Sequence, residues 1–472
     1  MKFTPNMANL QNGIDAILQE HPTIKSIVQS IDAQKGRALL VGGVVRDLLL
    51  GRQSKDIDIE VHGVPLAILE EILKKHGPVS TIGKSFGVLR IHNLDVDWSL
   101  PRTDSVGRKP IVAIDPNMSF KQAFERRDLT INAMGVDLTT KELIDPFDGL
   151  QDLERGILRA PNPDTFVEDP LRFYRVMQMI ARFEMHPDDA LQKLCSTMSI
   201  DHVSRERIEL EFEKMLLQSE RPSKGIRWLR EVGRLAAVFP QLDATINVEQ
   251  DPRWHPEGDV FEHSMQALDA AAIIAKNYDD RHKKLVLLYT ALCHDLGKAT
   301  TTEKTPNGII SYNHEVAGVD LARNMLKRIT ENHDLLNAIL KLVRHHMTPV
   351  IFVKEGAKAS AYKRLANKLD PETTIAMLAD LAYADIRGRN PASMEPLTIA
   401  IPELVTFIER ADQAQVHYKP EEPVLKGRDL LDVIKPGIEM GRLLDHAYEI
   451  QIEESIIDKD ELKRRVLAER KR

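Results

Sequence analysis

The stretch LLVGGVVRDLLLGRQSKDIDIE (Leu39–Glu60) decides how the N-terminal part of this chain is read. An apolar run enters two glycines and an Arg-Asp pair, and some ten residues on a second β-rich run carries Asp56 and Asp58. Residues i and i+2 of a strand face the same side, so the two carboxylates project together, with alpha carbons roughly 6.6 Å apart. Two such carboxylates hold divalent metal well. Magnesium prefers a few carboxylates plus phosphate oxygens, and a pair of ions can activate an attacking oxygen while stabilising the leaving one. That is the chemistry of nucleotidyl transfer. Gly42 and Gly43 let backbone approach a triphosphate closely, and Arg46 can lie against phosphate oxygens. A third carboxylate comes from NLDVDWSLPRTD, where alternation points Asp95, Asp97 and Ser99 one way and Val96, Trp98 and Leu100 toward a core; Asp97 is the favoured candidate. A lone DID is equally what two solvated residues on an edge strand look like, so the assignment rests on the full spacing.

At 472 residues the chain is too long for one core and suggests roughly three domains. Apolar residues make up 43% and charged residues 29%, proportions that exclude a mostly disordered or fibrous chain. No run of about 18 apolar residues occurs, and the first twenty residues lack a basic start followed by an apolar stretch. The expectation is a cytoplasmic protein with no membrane partner. Cys195 and Cys293 are too few for a disulfide framework or a thiolate zinc site. A net charge of -7 gives no general attraction to nucleic acid, so an RNA partner must meet a local basic surface. Candidates are SRERI near Arg205, RPSKGIRWLREVGR (Arg221–Arg234) and the final ELKRRVLAERKR, each also readable as a solvated helix face.

The fold class expected is α+β. Residues 1–35 read as a helical segment, and 36–150 as a head with a small mixed sheet built from ALLVGGV, DIDIEVHG, FGVLRIHN, LDVDWSL and GVDLTTKELIDPF. Beyond it β signals fade into amphipathic helices: a neck over 151–250, a His-rich helical domain over 251–400 introduced by DPRWHPEGDVFEHS, and a helical tail over 401–472.

GGVVRDLLLG followed by DIDIEV closely resembles the signature of the class II nucleotidyltransferases of the polymerase-beta-like superfamily, namely tRNA CCA-adding enzymes and bacterial poly(A) polymerases. Further blocks follow in order. RRDLTINAM resembles the ribose-recognising block, implying that Arg126, Arg127, Asp128 and Asn132 line the nucleotide pocket. DPFDGLQDL resembles the flexible junction between head and neck, although Phe147 stands where a second glycine is frequent. EDPLRFYRVMQMIARF resembles the base-reading helix.

Asp169 and Arg172 are three apart at that helix start and can converge on one face. A carboxylate accepts from the amino group of cytosine or adenine while a guanidinium donates to the adjacent ring acceptor. Guanine and uracil would set a carbonyl against the carboxylate, costing about 1–3 kcal/mol or more in a closed pocket. The protein would then serve as its own template, as the family does. The competing account makes Asp169 an N-cap ahead of Pro170 and leaves Arg172 in a surface ion pair.

In the second half, His263 of FEHSM, His294 and Asp295 of ALCHDLGKAT, and Asp385 of AYADIRGR are residue types that bind borderline divalent metals. Adjacent residues splay by about 100° on a helix, so His294 and Asp295 can share an ion only through rotamer choice or a backbone irregularity. The pattern resembles the HD phosphohydrolase superfamily. That resemblance implies metal-assisted hydrolysis of phosphoesters, with Lys298, His314, His345 and His346 assisting phosphate binding or a second metal.

The two resemblances together imply a tRNA nucleotidyltransferase that adds CMP and AMP from CTP and ATP to a tRNA 3′ end. Mg2+ is expected in the head, and a divalent transition metal or Mg2+ in the HD domain, with phosphohydrolase or 2′,3′-cyclic phosphodiesterase activity. The rivals are a poly(A) polymerase, an enzyme adding only CC or only A, a protein uridylyltransferase-like regulator, and an HD phosphohydrolase with an RNA-binding head. Partial addition turns on a loop, here TDSVGRKPIVAIDPNMSF. The sequence leaves the oligomeric state open.

Overall fold

The computed structural model describes residues 4–53, 56–82, 87–104 and 112–469. The chain divides into two compact units, Met1–Glu211 and Phe212–Arg472.

The first unit opens with helices Met7–Glu20 and Pro22–Ala33, and is built around a mixed sheet. Its strands are β1 (Arg37–Val41), β2 (Ile57–His62), β3 (Val79–Ile82), β4 (Val88–Ile91) and β5 (Val96–Ser99). A separate ribbon of β6 (Arg102–Asp104) and β7 (Val112–Ile114) follows, and β8 (Gly135–Asp137) and β9 (Leu143–Ile144) complete the sheet. The order is β3-β4-β5-β2-β1-β8-β9, antiparallel except for the parallel pair β2–β5. Parallel neighbours require a crossover, and helix Leu66–Lys74 with the β3–β4 hairpin supplies it. β1 is central and apolar, as a strand covered on both faces must be, and Leu39 and Val41 pack with Phe124 and Ala133.

The run ALLVGGV ends as a strand at Val41, because Gly42 turns into the left-handed region at φ 83° and helix Gly43–Leu49 starts at once. GVDLTTKELIDPF folds as the hairpin β8–β9, with Lys141 at φ 60° in its turn. β3 and the β6–β7 ribbon are additions, only three or four residues each and so too short to stand out by alternation. Residues 105–111 of the loop expected to govern partial addition lie outside the described residues. The junction resembling a flexible hinge is tied down: Asp145 accepts from the amides of Gly149 and Leu150 at 2.7 and 2.9 Å, capping helix Gly149–Arg155.

In the second unit, helix Val260–Ala275 is buried on nearly every side and packs on Arg281–Cys293 and Ile375–Arg387. His314–Leu326 and His333–His345 complete the core. Helix Arg281–Cys293 stops just before His294, and residues 294–297 form a turn leading into Lys298–Thr301. This is the irregularity that the adjacent His-Asp pair required. A Cβ on Gly297 would stand 2.0 Å from the His314 carbonyl oxygen, so the turn and helix His314–Leu326 touch backbone to backbone. Residues 425–467 close the chain around a small core of Leu430, Met440, Leu462 and Val466.

Replacing Gly297 by Ala forces two backbones apart. Urea unfolding of Gly297→Ala is expected to give a second unit less stable by about 1–3 kcal/mol.

Candidate active sites

The parallel pairing of β2 with β5 sets Asp58 directly opposite Asp97, while Ile57, Ile59, Val96 and Trp98 fill the other face. Asp56 lies one residue ahead of β2. Burial raises the Asp58 carboxyl above its ordinary value, and the charges of Asp97 and Asp56 push the same way against Arg127 and Arg90. Carboxylates that repel one another in this fashion form a donor set suited to a hard divalent cation. Arg90 Nε holds Asp97 Oδ1 at 2.7 Å, which fixes the direction of that carboxylate.

Gly42 borders this group. A Cβ there would lie 3.0 Å from Arg127 Nη1 and 3.9 Å from Asp58 Oδ2, so the bare glycine preserves space between cation and carboxylate. Its own amide donates to Met134 O at 3.2 Å. The guanidinium of Arg46, next to Gly43, is buried beside Phe183, with Nε and Nη2 on Asp47 Oδ1 and Nη1 on Asn132 Oδ1. Asn132 in turn donates to Asp128, which also accepts from Arg175 at 3.1 Å. Burial alone would raise the Asp128 carboxyl; Arg175, Asn132 and Arg172 hold it below its usual value. Arg46 therefore braces the pocket wall, and of the two arginines it is Arg127 that stands beside the carboxylates.

Asp169 and Arg172 are held by different partners. Asp169 Oδ1 accepts from Leu171 N at 3.1 Å and Oδ2 from Arg207 at 2.9 Å. Arg172 donates to the carbonyls of Thr165 and Arg126. Pro170 occupies the cap position and Leu171 begins the helix, one residue later than expected. Asp169 thus meets the first helical amide from one residue ahead of the cap position, where the competing account made it the N-cap itself, and Arg172 bonds carbonyls in place of the expected ion pair. A cleft of about 490 Å³ lies beside Arg172, lined also by Arg102, Gln122, Glu125, Arg126 and Thr165.

In the second unit five of the expected residues gather around a sixth, the Asp295 carboxylate, and Asp385 joins them through His263. Asp295 Oδ2 lies 3.4 Å from His294 Nε2, 3.6 Å from His263 Nε2 and 2.7 Å from Lys298 Nζ. Oδ1 lies 3.3 Å from His314 Nε2 and 3.6 Å from His346 Nε2. Asp385 Oδ1 is 3.1 Å from His263 Nε2 and receives Arg389 at 2.7 Å. The Nδ1 atoms of His294, His314 and His346 each lie within 3 Å of the carbonyl three residues earlier, those of Ala291, Ser311 and Val343. A carbonyl only accepts, so each Nδ1 carries a proton and each Nε2 is turned inward toward Asp295. Yet His314 Nε2 and His346 Nε2 stand 3.1 Å apart, and His294 Nε2 and His263 Nε2 3.3 Å apart. Nitrogens that close share a proton or a cation, and the donor set suits a borderline divalent metal on either side of Asp295.

His345 stands apart from this group. Neighbouring helix positions diverge, and it faces a cavity lined by Arg323, Lys341 and Arg344 instead. Burial and the cations Lys368, Arg344 and Lys341 push its imidazole down to about 4. Three unanticipated residues join the cluster. Glu257 Oε1 lies 2.7 Å from His263 Nδ1 and 3.0 Å from His255 Nδ1, and Lys298 reaches Gln250 Oε1 at 2.8 Å. The signal was the acid-histidine pair in RWHPEG, ahead of a helix whose first turn carries His263. The basic stretches meet intrachain acids: Arg221 pairs with Asp269, Arg227 with Glu262, Arg207 with Asp169, and Lys463 with Asp432. Residues 470–472 lie outside the described residues. No helix among the described residues is long and apolar enough to cross a membrane.

Two outcomes are expected. The fold holds Asp58 above its ordinary value, so ionising it costs the folded state stability at pH values above the unfolded carboxyl's; Asp58→Asn removes that cost and leaves the metal-free thermal midpoint equal or slightly higher, by scanning calorimetry. Burial pulls His263 and His314 down, but their carboxylate partners outweigh it and raise both imidazoles. Metal must displace those protons, so affinity in the second unit rises with pH through neutrality and levels off above it. Titration calorimetry in buffers of different ionisation enthalpy measures the protons released.

Comparison with known proteins gives the same two halves. The family described as "Poly A polymerase head domain" matches residues 38–159, "Probable RNA and SrmB- binding site of polymerase A" matches 183–246, and "HD domain" matches 260–385. The "Multifunctional CCA protein" of Pasteurella multocida is 34% identical over 367 residues, covering 74% of this chain and 83% of the relative. That of Neisseria meningitidis serogroup B is 34% identical over 365 residues, covering 74% and 82%. A CCA-adding enzyme solved with CTP superposes with a TM-score of 0.63 at 19% identity, covering 99% of both chains. The Thermotoga maritima CCA-adding enzyme in complex with tRNA gives 0.58 at 20% identity, covering 96% of this chain and 95% of that one. At that identity the two structures speak to the fold, which is the α+β head and helical remainder described above. Identity of a third over most of both lengths, on top of the matching head and HD domains, shows that the chain belongs to the multifunctional CCA protein family.

Proposed function

We propose that this chain is a tRNA nucleotidyltransferase that adds CMP and AMP, from CTP and ATP, to the tRNA 3′ end, and that its HD domain hydrolyses phosphoesters, 2′,3′-cyclic phosphates included. The observation that carries the first activity is the register of β2 on β5, which sets Asp58 opposite Asp97 beside the opening at Gly42 and Arg127. Asp56, Asp58 and Asp97 would hold Mg2+, which supplies charge neutralisation for the triphosphate and for the attacking ribose hydroxyl when bound. Arg127 lies against phosphate oxygens. The terminal hydroxyl of RNA bonds to the α-phosphorus as the bond to pyrophosphate breaks.

Asp169 and Arg172 read the base edge. Arg207, Thr165 and the Arg126 backbone keep the two side chains in place, and the contact of Asp169 with the Leu171 amide aims the helix without precluding that role. Arg126, Asp128 and Asn132 shape the ribose side, with Arg46 as their brace. The finer division into head 36–150, neck 151–250, HD domain 251–400 and tail 401–472 belongs to the same reading. So does a cytoplasmic setting, in keeping with two buried cysteines that form no disulfide.

In the HD domain His263, His294, Asp295 and Asp385 would hold one divalent ion, a transition metal or Mg2+, and Asp295, His314 and His346 a second. Such ions make water acidic enough to attack a phosphoester near neutral pH. Lys298 offsets charge at Asp295, and Glu257 fixes the orientation of His263.

Incorporation assays test the transferase. Supplied with tRNA ending at the discriminator base, after C or after CC, the protein is expected to add C, C and A respectively; Asp58→Ala loses on the order of a thousandfold or more in rate with its fold intact. Long AMP tracts on any RNA would overturn the assignment. Asp295→Asn is expected to abolish hydrolysis of a 2′,3′-cyclic phosphate and leave nucleotide addition in place.

A further inference from the structure

The metal-ligating cluster of the second unit is enclosed: His263, His294 and Asp295 are each at most 2% exposed. Its most accessible member is His255, whose side chain is 13% exposed and whose Nε2 lies 3.3 Å from Lys298 Nζ. The residue before it, Trp254, leaves its indole 66% exposed. On the far side of the chain, Tyr312 precedes the ligand His314 by two residues and is 75% exposed. The two segments are joined, since the hairpin of Glu303–Thr305 and Gly308–Ile310 meets the turn at Asp251–Arg253 through Gly308 and the Asn307 carbonyl. Arg253 and Lys304, both well exposed, stand on the same rim, each paired with a carboxylate, Asp251 at 2.5 Å and Glu249 at 2.7 Å. Large aromatic rings left in water at the edge of a buried phosphoester site serve no packing purpose, and bases stack on such rings whatever their identity.

We infer that Trp254 and Tyr312 form a base-stacking rim that feeds the HD site with the single-stranded 3′ end of an RNA, rather than with free mononucleotides. This rests on the reading of the cluster as a phosphohydrolase site. The terminal phosphate enters beside His255, and the preceding bases lie on the rings with their phosphates toward Arg253 and Lys304. RNA fits better than a protein ligand because bases of any identity stack on exposed rings, its phosphates can exchange with Asp251 and Glu249 for Arg253 and Lys304, and the site beneath handles phosphoesters.

The test uses the full chain and a hexanucleotide ending in a 2′,3′-cyclic phosphate. Trp98 and Trp228 are buried, so Trp254 is the tryptophan open to quenching. The hexamer is expected to quench tryptophan emission saturably, and Trp254→Phe to remove the signal. Trp254→Ala and Tyr312→Ala should each weaken hexamer binding by about 5- to 100-fold and lower the ratio of kcat/KM for the hexamer to that for a mononucleoside 2′,3′-cyclic phosphate. Quenching without hydrolysis supports the rim while sinking the phosphohydrolase reading. Hydrolysis without quenching, or an unchanged ratio in both variants, overturns the rim and leaves that reading standing.

Discussion

The parallel ladder between β2 and β5 is the constraint on which the head depends. It aligns Asp58 with Asp97 because Ile57 and Ile59, Val96 and Trp98 must all face inward. A slip of one residue would drive both carboxylates into the core and expose Trp98, so the acidic cluster is as firmly specified as the hydrophobic one. The opening beside Gly42 and Arg127 is placed relative to that pair. Gly42 ends the neighbouring strand β1 and keeps space open, and Arg127 arrives from the turn after helix Phe120–Glu125.

Behind the pocket, polar groups are chained rather than isolated. Asp47, Arg46, Asn132, Asp128 and Arg175 form one hydrogen-bonded path through the first unit, ending at Glu211. Buried charges persist only when partnered in this way, and loss of one member strands its neighbours. The same rule governs Asp169, held by Arg207 and the Leu171 amide, and Arg172, held by the carbonyls of Thr165 and Arg126.

The HD cluster solves a different problem, that of holding several imidazoles with the correct nitrogen outward. His294 and His346 each follow the last residue of a helix, where carbonyls lack intrahelical partners, and each spends its Nδ1 proton on one of them. One local device thus meets a helix-end carbonyl, places a proton on Nδ1 and turns Nε2 toward Asp295. Burial favours the neutral ring: the His294 imidazole is pushed down to about 3, which leaves its lone pair available across the physiological range.

The sequence by itself determined the chemistry-bearing residues and the element types, because strand alternation and ordered motifs are local properties. The alternation that sets Asp58 beside Asp97, the helical second half, and the acid and histidine residues from His263 to Asp385 that meet there were all legible in that way. Which residues meet was not legible. His345 and His346 are identical neighbours, and only the direction of a helix end separates a ligand from a bystander. Arg46 reads as a phosphate contact until Asp47 and Asn132 are seen to hold it, and His255 with Glu257 sits in a connection whose Pro and Gly mask its role. Packing decided these cases, since a side chain's partner depends on the register and approach of elements far apart in the chain.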